Sequence, residues 1–246
     1  MVRLSVNINK IATLRNARGG TLPDPVEAAL RLQSWGAEGI TVHPRPDERH
    51  IRYADVRALR PQLRCEFNIE GYPSEEFIAL CRETRPDQIT LVPDPPGVLT
   101  SNAGWNAVER EAELTEVIAQ LRDTGARISL FLDPDRTQVE AASRSGTDRI
   151  ELYTEAFAVE FALDPERAVR PFIDAAHTAQ NLGLGVNAGH DLNLDNLAFF
   201  ARRVPGLLEV SIGHALISDA LYYGLENTLR MYRRRLDDAQ HPDPRA

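Results

Sequence analysis

Eight times along the chain a short apolar run of strand length is followed by a longer amphipathic stretch. The strand-like runs lie near 3–8, 39–44, 64–70, 88–93, 127–133, 149–154, 184–188 and 208–213. Helical patterns lie near 24–35, 53–61, 74–84, 112–125, 135–145, 166–182, 192–203 and 215–237. Asp24-Pro25 reads as an N-cap followed by proline at the first helical position. Ser74-Glu75-Glu76 and Asp135-Arg136-Thr137 read as further helix starts, and Pro86, Gly125 and Gly183 as helix ends. Eight β-then-α units with no break in composition predict an α/β fold: a single-domain (β/α)8 TIM barrel over residues 1–236. An open doubly wound sheet is the alternative, but it needs a nucleotide loop such as GxGxxG after an early strand, and the chain has none. Two segments fall outside the alternation. Residues 94–111 form a long loop after strand 4, and loops beyond about 12–15 residues often serve as lids. Residues 237–246 are polar with two prolines and read as a disordered tail.

Successive strand residues point to opposite faces. One parity is apolar: Leu4, Val6 and Ile8; Ile40 and Val42; Phe67 and Ile69; Ile128, Leu130 and Leu132; Ile150 and Leu152; Val210 and Ile212. The other carries Ser5, Asn7, Thr41, His43, Asn68, Glu70, Ser129, Glu151, Asn187 and Ser211. The apolar set is expected to face the helices and the polar set the barrel axis. A buried polar group left without a partner costs about 1–3 kcal/mol. An axis this polar therefore points to a lined site rather than a filled core.

Composition narrows the function. Hydrophobic residues at 43% suffice for a large core, and a net charge of −8 with a pI near 5.3 argues against nucleic-acid and anionic-membrane partners. Cys65, in an apolar strand, and Cys81, in a helix, form no disulfide framework and read as buried thiols of a cytoplasmic protein. Met1-Val2-Arg3 leads directly into a strand, so no signal peptide is expected, and no apolar run approaches the ~20 residues of a membrane span.

The candidate chemistry gathers at strand ends, where barrels of this kind keep their catalytic groups. His43 and His50 follow strand 2, His190 follows strand 7 and His214 follows strand 8. Glu70 ends strand 3 and Glu151 faces inward from strand 6. Imidazoles and carboxylates converging from different strands suit serial proton transfers near neutral pH. His177, within a helix, reads as structural, and His241, in the tail, has no role. The spacing His43-x6-His50 is not a helical zinc pair, and neither HExxH nor CxxC occurs, so no metal is expected.

Asn7 through Gly20 sets three amides, an ammonium and two guanidiniums beside a Gly-Gly turn, a combination suited to a phosphate. Lys10 is the only lysine among 28 basic residues. Gly189-His190 and Gly213-His214 follow strands 7 and 8, the usual place for a barrel's phosphate site, and Arg18 and Arg45 could each serve a phosphate. Lys10 also admits a different enzyme class, a Schiff-base aldolase, although the parity of Ile8 would turn it from the axis. A non-catalytic phosphometabolite-binding barrel is a third reading.

The stretch Asn7-Ile8 through Gly19 resembles the start of the pyridoxine 5′-phosphate synthases. So do Gly39–Ile51, with its Thr41-Val42-His43-Pro44-Arg45-Pro46 core, then Asn68-Ile69-Glu70, Val186-Asn187-Ala188-Gly189-His190 and Ile212-Gly213-His214-Ala215. The resemblance spans nearly the whole chain in order. It implies a (β/α)8 barrel that condenses 3-amino-2-oxopropyl phosphate with 1-deoxy-D-xylulose 5-phosphate, releasing phosphate and water. It implies no metal or organic cofactor, and a homo-octamer. Carried over motif by motif, His43 and Glu70 resemble proton acceptors, His190 a proton donor and Glu151 a transition-state stabiliser. Asn7, Arg18, Gly213 and His214 would hold the amino-ketone phosphate, and Asp191 stands at a further substrate-binding position. Asn9, Lys10, Arg45, His50 and Thr100 would hold the deoxyxylulose phosphate. The chain departs from the family pattern in having Asn9-Lys10 where many members have Asp-His, and Asp191 where many have glycine.

Overall fold

The computed structural model describes residues 1–94 and 103–240. Its strands are β1 (Arg3–Asn7), β2 (Gly39–Val42), β3 (Glu66–Gly71), β4 (Gln88–Leu91), β5 (Arg127–Leu132), β6 (Arg149–Tyr153), β7 (Gly185–Gly189) and β8 (Leu207–Ile212). They run parallel in sequence order, and β1 pairs with β8, with Leu4 opposite Val210, to close the barrel. The helices are α1 (Asn9–Ala17), α2 (Pro25–Ser34), α3 (Tyr53–Leu59), α4 (Glu75–Thr84), α5 (Ala107–Leu121), α6 (Arg136–Arg144), α7 (Glu155–Phe161), α8 (Pro165–Asn181), α9 (Leu197–Arg203), α10 (His214–Tyr223) and α11 (Leu225–Gln240).

The caps work as their side chains dictate. Asp24 accepts from Val26, Ser74 from Phe77 and Asp135 from Thr137 and Gln138, each through a backbone N–H at the helix start. The expected parity also holds. Leu4, Val6, Ile40, Val42, Ile69, Ile128, Leu130, Ile150, Leu152, Val210 and Ile212 are fully buried in the core between sheet and helices.

Five expectations are corrected. Helix α1 begins two residues after β1, inside the segment read as a loop ending in Gly19-Gly20. Its inward side is Ile11, Ala12 and Arg15, and an arginine on the buried face hides the helical period. Helix α7 was not expected; it is short and keeps only Phe157 fully inside. The long loop is shorter than expected, because Asn106 caps α5 at Ala107. The last helix does not end at Asp237: Leu229, Tyr232, Leu236 and Ala239 keep one buried stripe, and α11 runs to Gln240, four residues into the expected tail. Gly224 divides that region into α10 and α11. Cys81 is buried as expected, but Cys65 is partly exposed just before β3.

The axis carries a column of polar groups, most of them hydrogen-bonded, with Ser129 Oγ and Gln88 Nε2 left without a partner among the described residues. At its floor Arg3 pairs with Glu66 at 2.6 Å and with Glu209 at 3.3 Å, Arg127 also pairs with Glu66, and Arg149 donates to Gln88 and Asn187. Above it Ser5 and Thr41 share a 2.7 Å hydrogen bond, and Thr90 donates to Asn68 at 3.1 Å. The mouth of the barrel lies above this layer.

Helix α1 is tied down by a buried ion pair. Arg15 donates to both oxygens of Asp55 on α3, at 2.6 and 2.9 Å, and to the His50 carbonyl at 3.0 Å. Asn16 donates to the same carbonyl at 2.8 Å. The segment between β2 and α3 is thus clamped by α1, which sets the place of His50. Arg15→Met should lower unfolding stability by about 3–5 kcal/mol, the usual effect of leaving a buried carboxylate uncompensated. Denaturant unfolding of the variant checks this, and a loss under about 1 kcal/mol would show that the clamp is dispensable.

Candidate active site

A cavity of about 630 Å³ opens at the C-terminal ends of the strands. Its lining includes Asn7, Asn9, Lys10, His43, Arg45, His50, Glu70, Glu151, His190, Asp191, Gly213 and His214. The fold therefore brings together in one chamber almost all of the residues singled out in the sequence. Arg18 is outside it, exposed at the C-terminal cap of α1. Thr100 lies outside the described residues, as do the other residues of 95–102 in the expected lid.

The carboxyl groups are largely out of water. Glu70, the next-to-last residue of β3, accepts from the Asn7 amide at 3.3 Å, and its Oε2 lies 3.9 Å from Nδ1 of His43. Burial pushes its pKa up from 4.5 to about 8, helped by the nearby Asp94 carboxylate and opposed by Arg45. Glu151 is pushed well above the usual carboxylate range, first by burial and then by Glu70. Gly189, on the neighbouring strand, makes room for it: a Cβ there would lie 2.7 Å from Glu151 Oε1.

The histidines of β2 are held neutral. Burial, and then the charges of Arg45, His50 and Arg49, lower the His43 pKa well below 6.5. Burial, with Arg45 and Lys10, brings His50 down to about 4. His50 Nδ1 accepts from the Ile51 N–H at 2.9 Å, which leaves its proton on Nε2. The two rings meet edge to face with centroids 6.0 Å apart. His43 thus offers a lone pair at neutral pH, and Glu70 beside it offers a proton.

Asn7 and Asn9 have structural work of their own. The Asn7 carbonyl oxygen accepts from the Asn9 N–H at 3.0 Å, and Asn9 in turn accepts from the His43 N–H at 2.9 Å. These amides join the start of α1 to the end of β2. Lys10 is in the first turn of α1 and lines the cavity. The parity argument that turned it from the axis fails, because the strand has already ended at Asn7.

Across the mouth, β7 ends in Gly189 and passes to His190, which has a φ of 98°. Asp191 Oδ2 lies 2.6 Å from His190 Nδ1, and the Asp191 N–H is bonded to the Thr154 hydroxyl at 3.2 Å. Gly213 caps α10, and His214 is that helix's first residue. The first N–H groups of a helix have no partner within it, so this end of the cavity suits an anion. A Cβ on Gly213 would come within 3.0 Å of the Asn7 side chain.

The sequence reading missed two parts of the site. Val92, Phe131 and Tyr153 form a separate buried apolar cluster, and Val92 and Phe131 line the cavity. They stand on the inward parity of β4, β5 and β6, two residues beyond Thr90, Ser129 and Glu151, so the alternation held the signal. Asp94 pairs with Arg45 at 2.7 Å, with both side chains almost fully buried; nothing in the local sequence marks that pairing. Among the described residues no three histidine, cysteine or carboxylate side chains are grouped as metal ligands would be. No helix among them is long and apolar enough to cross a membrane.

A closed parallel barrel with histidines, carboxyl groups and basic groups gathered at its C-terminal mouth defines a TIM-barrel enzyme. Solved barrels agree on the fold: phosphoribosyl anthranilate isomerase from Thermotoga maritima superposes with a TM-score of 0.61 at 13% identity, covering 96% of this chain and 99% of that one. The tryptophan synthase A-subunit from Pyrococcus furiosus gives 0.59 at 14%, covering 98% and 97%. Sequence relatives are far nearer. Pyridoxine 5′-phosphate synthase from Flavobacterium johnsoniae is 56% identical over 236 residues, 96% of this chain and all of that protein. The synthase from Bacteroides thetaiotaomicron is 58% identical with the same coverage. The family model for the pyridoxal phosphate biosynthesis protein PdxJ matches residues 4–238, and the chain belongs to that family.

The raised pKa of Glu70 has a thermodynamic consequence. Between its ordinary value of 4.5 and about 8, the folded protein holds a proton that the unfolded chain has released. The stability from that proton is complete below about 4.5 and is lost as pH rises through about 8. Glu70→Gln should therefore raise the melting temperature relative to the parent more at pH 9 than at pH 5. Thermal unfolding at both pH values measures this, and equal shifts would mean that Glu70 is not desolvated.

Proposed function

We propose that this barrel is a pyridoxine 5′-phosphate synthase. It joins 3-amino-2-oxopropyl phosphate to 1-deoxy-D-xylulose 5-phosphate and releases inorganic phosphate and water. The observation that supports this most directly is the meeting of Glu70, Glu151, His43 and His190 in one cavity whose rim carries Lys10, Arg45 and the start of α10. Its 55–58% identity to synthases over nearly its full length supports the substrate assignment.

Ring closure needs an imine, dehydrations, loss of phosphate and a carbon–carbon bond, and each step moves protons. A neutral His43 takes a proton, and Glu70 accepts one in the fraction of molecules in which it is ionised, which grows as pH approaches 8. His190, on the other side of the mouth, supplies a proton to a departing oxygen. Glu151, beneath both, offers a protonated carboxyl where charge develops. Holding the two substrates together replaces a bimolecular encounter by an intramolecular one. Asn7, Gly213 and His214 take the amino-ketone phosphate in this reading, and Arg18, which lies outside the cavity, would have to swing in to join them. Asn9, Lys10, Arg45, His50 and Thr100 take the deoxyxylulose phosphate. Arg45 must then exchange its Asp94 carboxylate for the phosphate or share itself between them. The homo-octamer is part of the proposal, and the exposed apolar run Leu221, Tyr222 and Tyr223 at the end of α10 suits burial on assembly.

Incubation with both substrates, following pyridoxine 5′-phosphate and released phosphate, tests the reading. Glu70→Gln should abolish turnover nearly completely. In the parent enzyme log kcat/KM should climb with pH and level off above about 8, where Glu70 is ionised; a flat profile from pH 6 to 9 would remove Glu70 as a base. Because Lys10 is solvent-exposed at the cavity's rim, Lys10→Met should raise the KM for deoxyxylulose phosphate by roughly tenfold, the scale of one charge-assisted contact. The KM for the amino-ketone should stay nearly constant. Borohydride trapping of substrate on Lys10 would favour the Schiff-base reading instead.

A further inference from the structure

Asp191 is engaged with its neighbour in a way that a phosphate ligand would not be. Its carboxylate lies 2.6 Å from Nδ1 of His190. Its N–H is bonded to the Thr154 hydroxyl, and its carbonyl accepts from the Asn196 amide at 3.4 Å. Thr154 in turn donates its hydroxyl to the Gly189 carbonyl at 2.8 Å. These bonds hold the turn in which His190 adopts a φ of 98°, in the left-handed region that side chains rarely occupy. Non-glycine residues in such conformations concentrate at functional sites, because the surrounding structure must maintain them. The face of the imidazole is fixed as well: Tyr153 meets it edge to face, with centroids 5.1 Å apart and planes at 87°. Tyr153 is itself anchored by a 2.7 Å hydrogen bond to Glu155.

A carboxylate can only accept a hydrogen bond, so the nitrogen facing it must carry the proton. With Nδ1 committed to Asp191, Nε2 is the one nitrogen of His190 left for the cavity. We infer that Asp191 is a positioning residue that fixes the tautomer and orientation of His190, so that Nε2 alone exchanges protons with the substrates. The physical logic is that of a carboxylate–imidazole pair in nucleophilic triads, where the carboxylate orients the ring without itself transferring a proton. Here the pair serves a proton donor instead. The inference rests on the proposed synthase reading for the role of His190, but not for the geometry of the pair.

Two measurements on the full-length protein test it separately. The first is magic-angle-spinning NMR of ligand-free protein labelled with [15N]histidine, with His190→Gln used to assign the signal. The parent should show a protonated Nδ1 on His190, and Asp191→Asn, whose amide can turn its NH2 toward the ring, should show a mixture or the opposite tautomer. The second is kinetic. Asp191→Asn and Asp191→Ala should each lower kcat by roughly tenfold to a hundredfold, with both KM values within about threefold of the parent; full removal of such a carboxylate's role is far more damaging in a protease triad. In a His190→Gln background the same changes should add almost nothing, since Asp191 acts through the ring. Unfolding midpoints near that of the parent would show that the variants fold. An unchanged tautomer in Asp191→Asn overturns the inference, and so does a raised KM for either substrate with kcat intact, which would make Asp191 a ligand. If the parent forms no pyridoxine 5′-phosphate, the synthase reading fails on its own, while the NMR result still decides whether Asp191 sets the ring.

Discussion

Glu70 and Glu151 lie on the axis of a closed barrel, where little water can solvate a negative charge. Their cost in isolation would be high, since removing a carboxylate from water disfavours its ionised form strongly. The barrel accommodates them by letting them keep their protons and by stacking beneath them a column of mostly paired polar groups. Arg3, Glu66, Arg127 and Glu209 close the floor, and Ser5, Thr41, Asn68 and Thr90 fill the layer above. The same desolvation that taxes the folded state gives the site a carboxyl group that titrates near neutral pH. Stability and reactivity are here two readings of one constraint.

That constraint organises the rest of the mouth. Neutral His43 is next to protonated Glu70 because burial disfavours the charged form of each, with guanidiniums beside the former and the Asp94 carboxylate beside the latter adding to it. Asn7 touches both machinery and scaffold, donating to Glu70 while accepting from the first residue of α1. Arg15, one of the guanidiniums grouped with a phosphate site in the sequence, instead holds the carbonyl of His50 together with Asn16. The basic segment after β1 is therefore divided: Lys10 lines the cavity, while Arg15 and Asn16 build its wall. On the far side the His190–Asp191 pair stands on a turn fastened by Thr154 and Asn196.

Periodicity made much of this legible from residues alone. Strand length, alternation and spacing determined the eightfold β/α order, and parity determined that Thr41, Asn68, Glu70, Glu151 and Asn187 face the axis. This works because a strand has only two faces, and a closed barrel sends one to the helices and one inward. Position at a strand end was enough to single out His43, Glu70, His190 and Gly213. Where the local pattern was ambiguous, the reading erred. Helix α1 was hidden because its buried stripe contains Arg15, whose partner Asp55 is remote in sequence. Lys10 was placed by strand parity although the strand ended before it. The stripe of α11 continued past Asp237 under a polar surface.

Tertiary structure alone decided the states of these groups. A glutamate in sequence is an ordinary carboxylate; only burial beside Asp94 pushes Glu70 up to about 8. An adjacent His190-Asp191 pair could face anywhere; only a left-handed turn, a Tyr153 edge and the Thr154 bond aim carboxylate at imidazole. Arg45 and Asp94 are paired only because β2 and β4 end at the same mouth. Residue type and period are local properties, and the sequence by itself determined what depends on them: which elements form and which side chains point inward. Proton affinity, tautomer and ion pairing depend on distance and on the exclusion of water, and both arise only when the eight strands close.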